Sequence, residues 1–339
     1  MGGRVYPRGV SQPEPIRFRA GNLTLSGELL LPDQASGSPG SGRRETPWVL
    51  LLPSWLPRDR DGAFDDGAHP AWFGHGPMAP HRPGLLRRLA EALAELGAAS
   101  FRYDPRGCGE SDGDWAASDL FTRIDDARDA LGAMRSRGEL DLARTGIVGH
   151  GEGAAMALSV AIADPAIGAL TLIGAPARSL RHLLRCGAAA RSRGGTDRHH
   201  PLVEALDRWS EELIERTERR EGELRLRLRG PARERVRLNL AAWEQGFHTP
   251  ALALATMLHR SINIVHGSAD VWSHPDEAKL LQVVLESAGN QPDLRLIPGA
   301  GHELAEAPDE VIARVAEDLA GRLVQRPLPA VLLAIQEMG

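Results

Sequence analysis

The sequence predicts an α/β fold, a mostly parallel central sheet flanked by helices, with one long insertion. Three observations carry that prediction. Short segments such as Trp48–Leu52 are apolar at every position, as expected of strands buried on both faces. They alternate with stretches that are apolar only at helical spacing, and that alternation implies right-handed crossovers with helices on both sides of a sheet. The 339 residues are 42% apolar and 25% charged, with a formal net charge of −5, which supports a large buried core and excludes a disordered chain.

Residues 16–19 and 23–31 read as a hairpin turning at Gly21-Asn22. Residues 32–47 are rich in Gly, Ser and Pro and read as a surface loop. Strand 48–52 follows. Leu85, Leu86, Leu89, Leu93 and Leu96 then share one helical face that ends at Gly97. Residues 98–103 predict a strand, 119–135 a helix, 145–148 a strand, 152–162 a helix and 169–173 a strand. Beyond the insertion, 262–265 and 294–297 predict strands, and 275–287 and 309–323 helices. The expected division is a core of residues 1–173 and 262–339, with a mainly helical cap at 174–261.

The cap segment is strongly charged. Sixteen arginines fall between Arg178 and Arg237, interleaved with Glu211, Glu212, Glu215 and Glu218 at helical spacing. That pattern fits a solvated, salt-bridged helical surface, and an anion-attracting lid is the alternative. Leu224 to Arg229 alternates with period two instead, consistent with a short strand.

Composition narrows the function. Cys108 and Cys186 are the only cysteines, so a disulfide framework is not expected and a reducing cytoplasm is the default. No run reaches the roughly 18 apolar residues of a membrane helix, and residues 1–15 lack the apolar core of a secretory signal. Met1-Gly2 is not followed by Ser or Thr at position 6, which is Tyr6, so myristoylation is not expected. Of the 40 basic residues only Lys279 is lysine, a coding bias with little functional content. A mildly acidic chain is not expected to bind nucleic acid. His199-His200, His248 and His274 lack a metal-ligand spacing, and neither metal nor cofactor is expected. The apolar tail 328–335 can dock on the body or on a second copy, leaving a homodimer open.

The chemistry concentrates in three loops. Gly149-His150-Gly151-Glu152-Gly153 lies between a predicted strand and helix, the place of a G-x-S-x-G elbow whose sharp turn lifts its central side chain above the sheet. Here the centre is Gly151, which accepts positive φ freely but brings no hydroxyl. Glu152 opens the helix, where a carboxylate favours the positive end of the dipole. Asp270 follows a strand in His266-Gly267-Ser268-Ala269-Asp270, and His302 follows the last strand in Pro298-Gly299-Ala300-Gly301-His302. Elbow, acid, histidine is the chain order of a hydrolytic triad on this type of sheet.

On these residues the chain resembles the α/β-hydrolase superfamily, in the branch of serine aminopeptidase-like hydrolases and esterases. Arg102-Tyr103-Asp104-Pro105-Arg106-Gly107-Cys108-Gly109-Glu110-Ser111 is similar to that branch's R-Y-D-x-R-G-x-G-x-S segment, and Pro57 to Gly62 to its P-x-D-R-D-G turn. The resemblance implies a bracing role for both, with Cys108 at a variable position.

Two departures touch the chemistry. Gly151 replaces the serine, and Ser54-Trp55-Leu56 stands where the branch usually has G-S-G. Backbone N–H groups near Trp55 and Leu56, with that of Glu152, are the implied oxyanion hole. Ser54, His150, Trp243 and Trp272 are the candidate pocket residues.

Removing the nucleophile from a comparable triad costs ~10⁶-fold in turnover, so an acyl-enzyme at position 151 is excluded. The resemblance implies a small-molecule ester, amide or related acyl substrate, with His302 and Asp270 serving as a general base. A non-hydrolytic enzyme (lyase, isomerase or cyclase), a binding protein, and an engineered knock-out of a serine esterase or peptidase are the other readings. With Gly151 at the elbow, a serine-directed phosphonate is expected to leave the chain unmodified; labelling would point to another nucleophile, Ser54 or Cys108 first.

Overall fold

The structure is a computed structural model that describes residues 11–33, 45–54, 57–63, 84–191, 201–227, 235–270 and 272–324. Within these, the backbone alone is described at 116, 187–191, 201–207, 226–227, 235–238 and 241–242. The tail 328–335, His199-His200, Trp55, Leu56 and most of the loop expected over 32–47 lie outside the described residues.

Eight strands form the central sheet: β1 (Glu14–Ala20), β2 (Leu23–Leu30), β3 (Thr46–Leu52), β4 (Ala99–Tyr103), β5 (Leu140–His150), β6 (Ile167–Ile173), β9 (Ser261–Gly267) and β10 (Asp293–Ile297). Their spatial order is β1-β2-β4-β3-β5-β6-β9-β10. β1 and β2 form the expected hairpin, pairing Ala20 with Leu23 around Gly21, and β2 lies antiparallel to β4. From β4 to β10 every pairing is parallel. The α/β-hydrolase architecture anticipated from the sequence is therefore the one observed.

The two faces carry separate cores because alternate strand residues point to opposite sides. Trp48, Leu50 and Leu52 of β3 join one cluster, while Val49 and Leu51 join the other. On the first face pack α2 (Leu120–Arg135), α3 (Gly153–Ala163) and α8 (Pro275–Ser287). On the second pack α1 (Leu85–Glu95) and α9 (Asp309–Val324). α3 is buried at nearly every position and built from small residues, which lets it approach the sheet closely beneath the elbow. β5 begins at Leu140, five residues before the strand read from the sequence. Its added half is only partly buried and pairs through the irregular Thr46–Leu140 contact, so it shows no apolar run.

Between β6 and β9 the chain forms α4 (Leu180–Arg191), α5 (Pro201–Glu218), the antiparallel ribbon β7 (Glu223–Arg227) and β8 (Arg235–Asn239), α6 (Leu240–His248) and α7 (Ala251–Ala255). The period-two segment around Leu224 is thus a strand, with Leu224 turned inward. α7 packs on α3 and α8, and Ala251, Ala255 and Leu258 belong to the main core. The charges of the insertion meet each other: Arg181 pairs with Glu218, Arg216 with Glu212 and Glu221, Arg220 with Glu244 and Arg225 with Glu223.

The insertion is tied down where it begins. The carboxylate of Glu277, buried in the first turn of α8, accepts from the backbone N–H of Ala177 at 3.1 Å and of Arg178 at 2.9 Å, and from Arg178 Nε at 2.8 Å. Where the insertion ends, Leu252 N–H donates to the carbonyl of Ala177 at 2.9 Å.

Candidate functional site

The loops after β3, β5, β9 and β10 converge at one end of the sheet, where ligands of doubly wound folds sit. β5 stops at His150 and α3 starts at Gly153, leaving a turn of two residues. Gly151 takes φ +57°, a conformation that L side chains rarely adopt, and its N–H donates to Ile173 O at 2.8 Å. A Cβ placed on Gly151 would lie 3.1 Å from His302 Nε2. The turn therefore points its missing side chain at the imidazole.

His302 and Asp270 are brought together from loops 32 residues apart, with Nδ1 and Oδ2 at 2.8 Å. The second oxygen, Oδ1, accepts from the backbone N–H groups of Trp272 and Ser273, both at 2.8 Å. Oδ2 also faces His266 Nε2 at 3.2 Å, and the same nitrogen lies 2.6 Å from Ser273 O. A carbonyl and a carboxylate only accept, so His266 presents an N–H there. Burial raises the Asp270 pKa, yet the charge and hydrogen bonds of His302 and His266 outweigh it and hold the carboxyl far below the usual range. Burial lowers the His302 pKa, and the Asp270 carboxylate more than reverses this, raising it above the ordinary histidine value.

With Nδ1–H donated to Asp270, the lone pair of His302 is on Nε2. That atom is buried and has no hydrogen-bond partner among the described residues. Gly174 (φ +57°) keeps the ring clear, since a Cβ there would approach His302 Nδ1 to 3.1 Å.

Behind the ring, His150 Nε2–H donates to the His302 carbonyl at 3.0 Å, and the two rings lie 4.7 Å apart. Complete burial drops the His150 pKa to about 3, so it is a neutral packing partner. Glu303 is gripped by both terminal nitrogens of Arg58, at 2.8 and 2.6 Å; its pKa is raised by burial but lowered more by Arg58. Although ligand atoms of His150, His302 and Glu303 lie within 4.8 Å of one another, the Arg58 charge on Glu303 opposes a cation there.

The site opens into a cleft that, together with the solvent at its mouth, spans about 490 Å³. Its walls are Leu120, Gly151, Glu152, Ala155, Trp272 and His302 from the sheet side, and Arg178, Leu180, Leu183 and Gly246 from the insertion. The Glu152 carboxylate meets Arg123 at 2.9 Å, and burial raises its pKa.

Of the sequence candidates, Gly151, Glu152, Trp272, His302 and Asp270 are assembled at or directly beside the cleft. Trp243 is buried on α6 and His150 lies beneath His302, so neither lines the wall. The oxyanion candidates Trp55 and Leu56 fall outside the described residues. Ser54 is buried, and its Oγ stands 2.2 Å from the point where a Gly151 Cβ would be.

The flanking motifs brace these loops. Arg60 Nε bonds Asp104 at 3.0 Å, Arg102 reaches Asp61 at 2.9 Å and Glu28 at 2.7 Å, and Ser111 Oγ donates to Asp104 O at 2.6 Å. Sequence reasoning missed His266, Arg58 and Glu303 as parts of the site. Two of them lie inside motifs already quoted, but their contacts span 245 residues for Arg58–Glu303 and carry no local pattern.

Comparisons with known proteins agree with this geometry. Residues 79–309, more than half of the chain, match the family described as serine aminopeptidase, S33. The esterase Est1E from Butyrivibrio proteoclasticus, solved with ferulic acid, aligns at a TM-score of 0.58 and 14% identity, over 92% of this chain and 100% of that one. An acylaminoacyl peptidase from Pyrococcus horikoshii aligns at 0.59 and 14%, over 95% of this chain and 42% of that one. The α/β-hydrolase GrgF from Penicillium sp. sh18 aligns at 0.60 and 16%, over 92% and 99%. No curated protein matches the chain. With its sheet order, its convergent loops and that family match, the chain belongs to the serine aminopeptidase (S33) family of α/β-hydrolases.

Proposed function

We propose that the protein acts on a carboxylic ester, amide or related acyl compound held in the cleft, with His302 as general base and Asp270 as its orienting partner. The observation that carries this reading is Nε2 of His302, buried at the cleft wall beside Gly151 and without a hydrogen-bond partner among the described residues. Asp270 fixes the tautomer and stabilises the imidazolium that forms when a proton is taken up. The N–H of Glu152, with those near Trp55 and Leu56, serves as the hole for the developing oxyanion. The insertion acts as a cap, in which Leu180 and Leu183 supply an apolar wall for the acyl group. Gly151 itself contributes no atom to bond making, so the proton acceptor is the fixed element of the site.

The test is hydrolysis of p-nitrophenyl butyrate by the purified chain. His302→Ala should abolish turnover, and Asp270→Asn should lower it by about 10³–10⁴-fold, the effect of mis-orienting the ring in comparable triads. A His302→Ala variant that retains turnover would refute the reading.

A further inference from the structure

We infer that Ser54, on the loop after β3, replaces the missing elbow serine as the nucleophile. This rests on the reading of His302 as the base. The geometry points to it in three ways. The Ser54 Oγ stands 2.2 Å from where a Gly151 Cβ would lie, and that same point is 3.1 Å from His302 Nε2. One hydroxyl therefore fills, from a neighbouring loop, the space an elbow serine would use. Next, both groups are buried, with Ser54 5% and His302 3% exposed, and among the described residues Ser54 Oγ and His302 Nε2 each lack a hydrogen-bond partner, so the bond between them forms only as substrate is engaged. A buried hydroxyl and a buried imidazole nitrogen left unsatisfied side by side are costly as structure and useful as chemistry. Lastly, Gly151 and Ser54 are matched. A Cβ at 151 would also meet Ser54 Cβ at 2.9 Å, so a side chain at one position excludes the present arrangement of the other. Glycine at 151 is what leaves room for the Ser54 hydroxyl behind the cleft-lining Gly151 and His302.

The step balances without any added reagent. As Ser54 Oγ bonds to the acyl carbon, His302 Nε2 takes the hydroxyl proton, and the carbonyl electron pair moves onto oxygen. The tetrahedral species collapses, breaking the bond to the leaving alcohol or amine, which receives the proton from His302. Water then attacks the acyl-Ser54 ester, His302 takes its proton and returns it to the departing Ser54 Oγ, and the carboxylic acid is released.

The test uses a fluorophosphonate probe on the full chain, followed by trypsin and mass spectrometry. Ser54 falls in the tryptic peptide 45–58, whose only other hydroxyl is Thr46. The expected result is one adduct on that peptide, absent in Ser54→Ala and formed at least ~10³-fold more slowly in His302→Ala. Thermal melting of Ser54→Ala verifies that it folds, and the wild-type peptide map stands without any variant. An adduct on another residue, or no adduct, overturns the assignment. If in addition p-nitrophenyl butyrate is hydrolysed in a His302-dependent manner, water is the group His302 activates and the general-base reading survives. If hydrolysis is independent of His302, both fall.

Discussion

Placing serine at the elbow separates a matched pair of residues from a simple deletion of a nucleophile. In Gly151→Ser the new side chain is held at φ +57°, and its Cβ lies 2.2 Å from Ser54 Oγ and 2.9 Å from Ser54 Cβ. The left-handed backbone costs about 1–2 kcal/mol for a residue with a Cβ, and overpacking of this kind about 1–3 kcal/mol. The expected loss is about 2–5 kcal/mol. Unfolding entropy near ~2.1 cal/mol/K per residue, over 339 residues, converts this into a fall in Tm of roughly 3–7 °C. Ser54→Gly in the same chain removes both close neighbours, so the packing share should return while the backbone share stays. A double-mutant cycle read by thermal and denaturant unfolding should then show a coupling of about 1–3 kcal/mol. Additive losses, or a Gly151→Ser variant as stable as the parent, would show that positions 54 and 151 do not compete for one space.

Further outcomes follow from the electrostatics. Because His302 must be neutral to act and its pKa is raised by Asp270, kcat/KM should rise with pH through a midpoint above ~6.5, and Asp270→Asn should move that midpoint down; a wild-type midpoint below that of Asp270→Asn would contradict the pairing. The raised His302 pKa also contributes stability that is full below ~6.5 and lost as pH climbs through the folded value, whereas the depressed Asp270 pKa contributes stability present above ~3.9 and lost on acidification. Urea unfolding of His302→Gln across this range should lack the first of these slopes. Glu303→Ala leaves the buried Arg58 guanidinium without its carboxylate and should cost about 3–5 kcal/mol in denaturant unfolding. Replacing the exposed Arg219, Arg220 and Arg225 together by alanine should change stability by less than about 1 kcal/mol and leave ester turnover equally insensitive to salt; a salt-sensitive loss of turnover would instead mark an anion-attracting lid.

Much of this architecture is written in local pattern. β3 announces itself because every residue from Trp48 to Leu52 is buried, and α1 because Leu85, Leu86, Leu89 and Leu93 share one buried face. The elbow, the acid and the histidine are legible because each closes a strand, and strand ends are where a parallel sheet collects its loops. What escaped is what needs the third dimension. The outer half of β5 is half-exposed and patterned like a loop. α7 is five residues long and sits in a segment whose other helices, among the described residues, add nothing to the main core. His150 and Trp243 carry side chains that suit a pocket but face inward. The nearness of Ser54 to Gly151 joins two loops almost a hundred positions apart, and only a distance reveals it.

The paired anchors at Ala177 make the insertion modular. Ala177 gives its N–H to Glu277 and takes one on its carbonyl from Leu252, so the chain leaves and re-enters the sheet layer at nearly one point. Segments whose ends meet in this way tolerate exchange and change of length. Apart from Gln245, which accepts from Phe121 N–H at 3.0 Å and donates to Asp119 at 2.7 Å, much of the stretch between those two bonds can diverge while Asp270, His302 and the elbow stay in register. On the function proposed above, the same scaffold can therefore be fitted to acyl groups of different size by rewriting one continuous stretch of sequence, with the His302–Asp270 pair inherited unchanged.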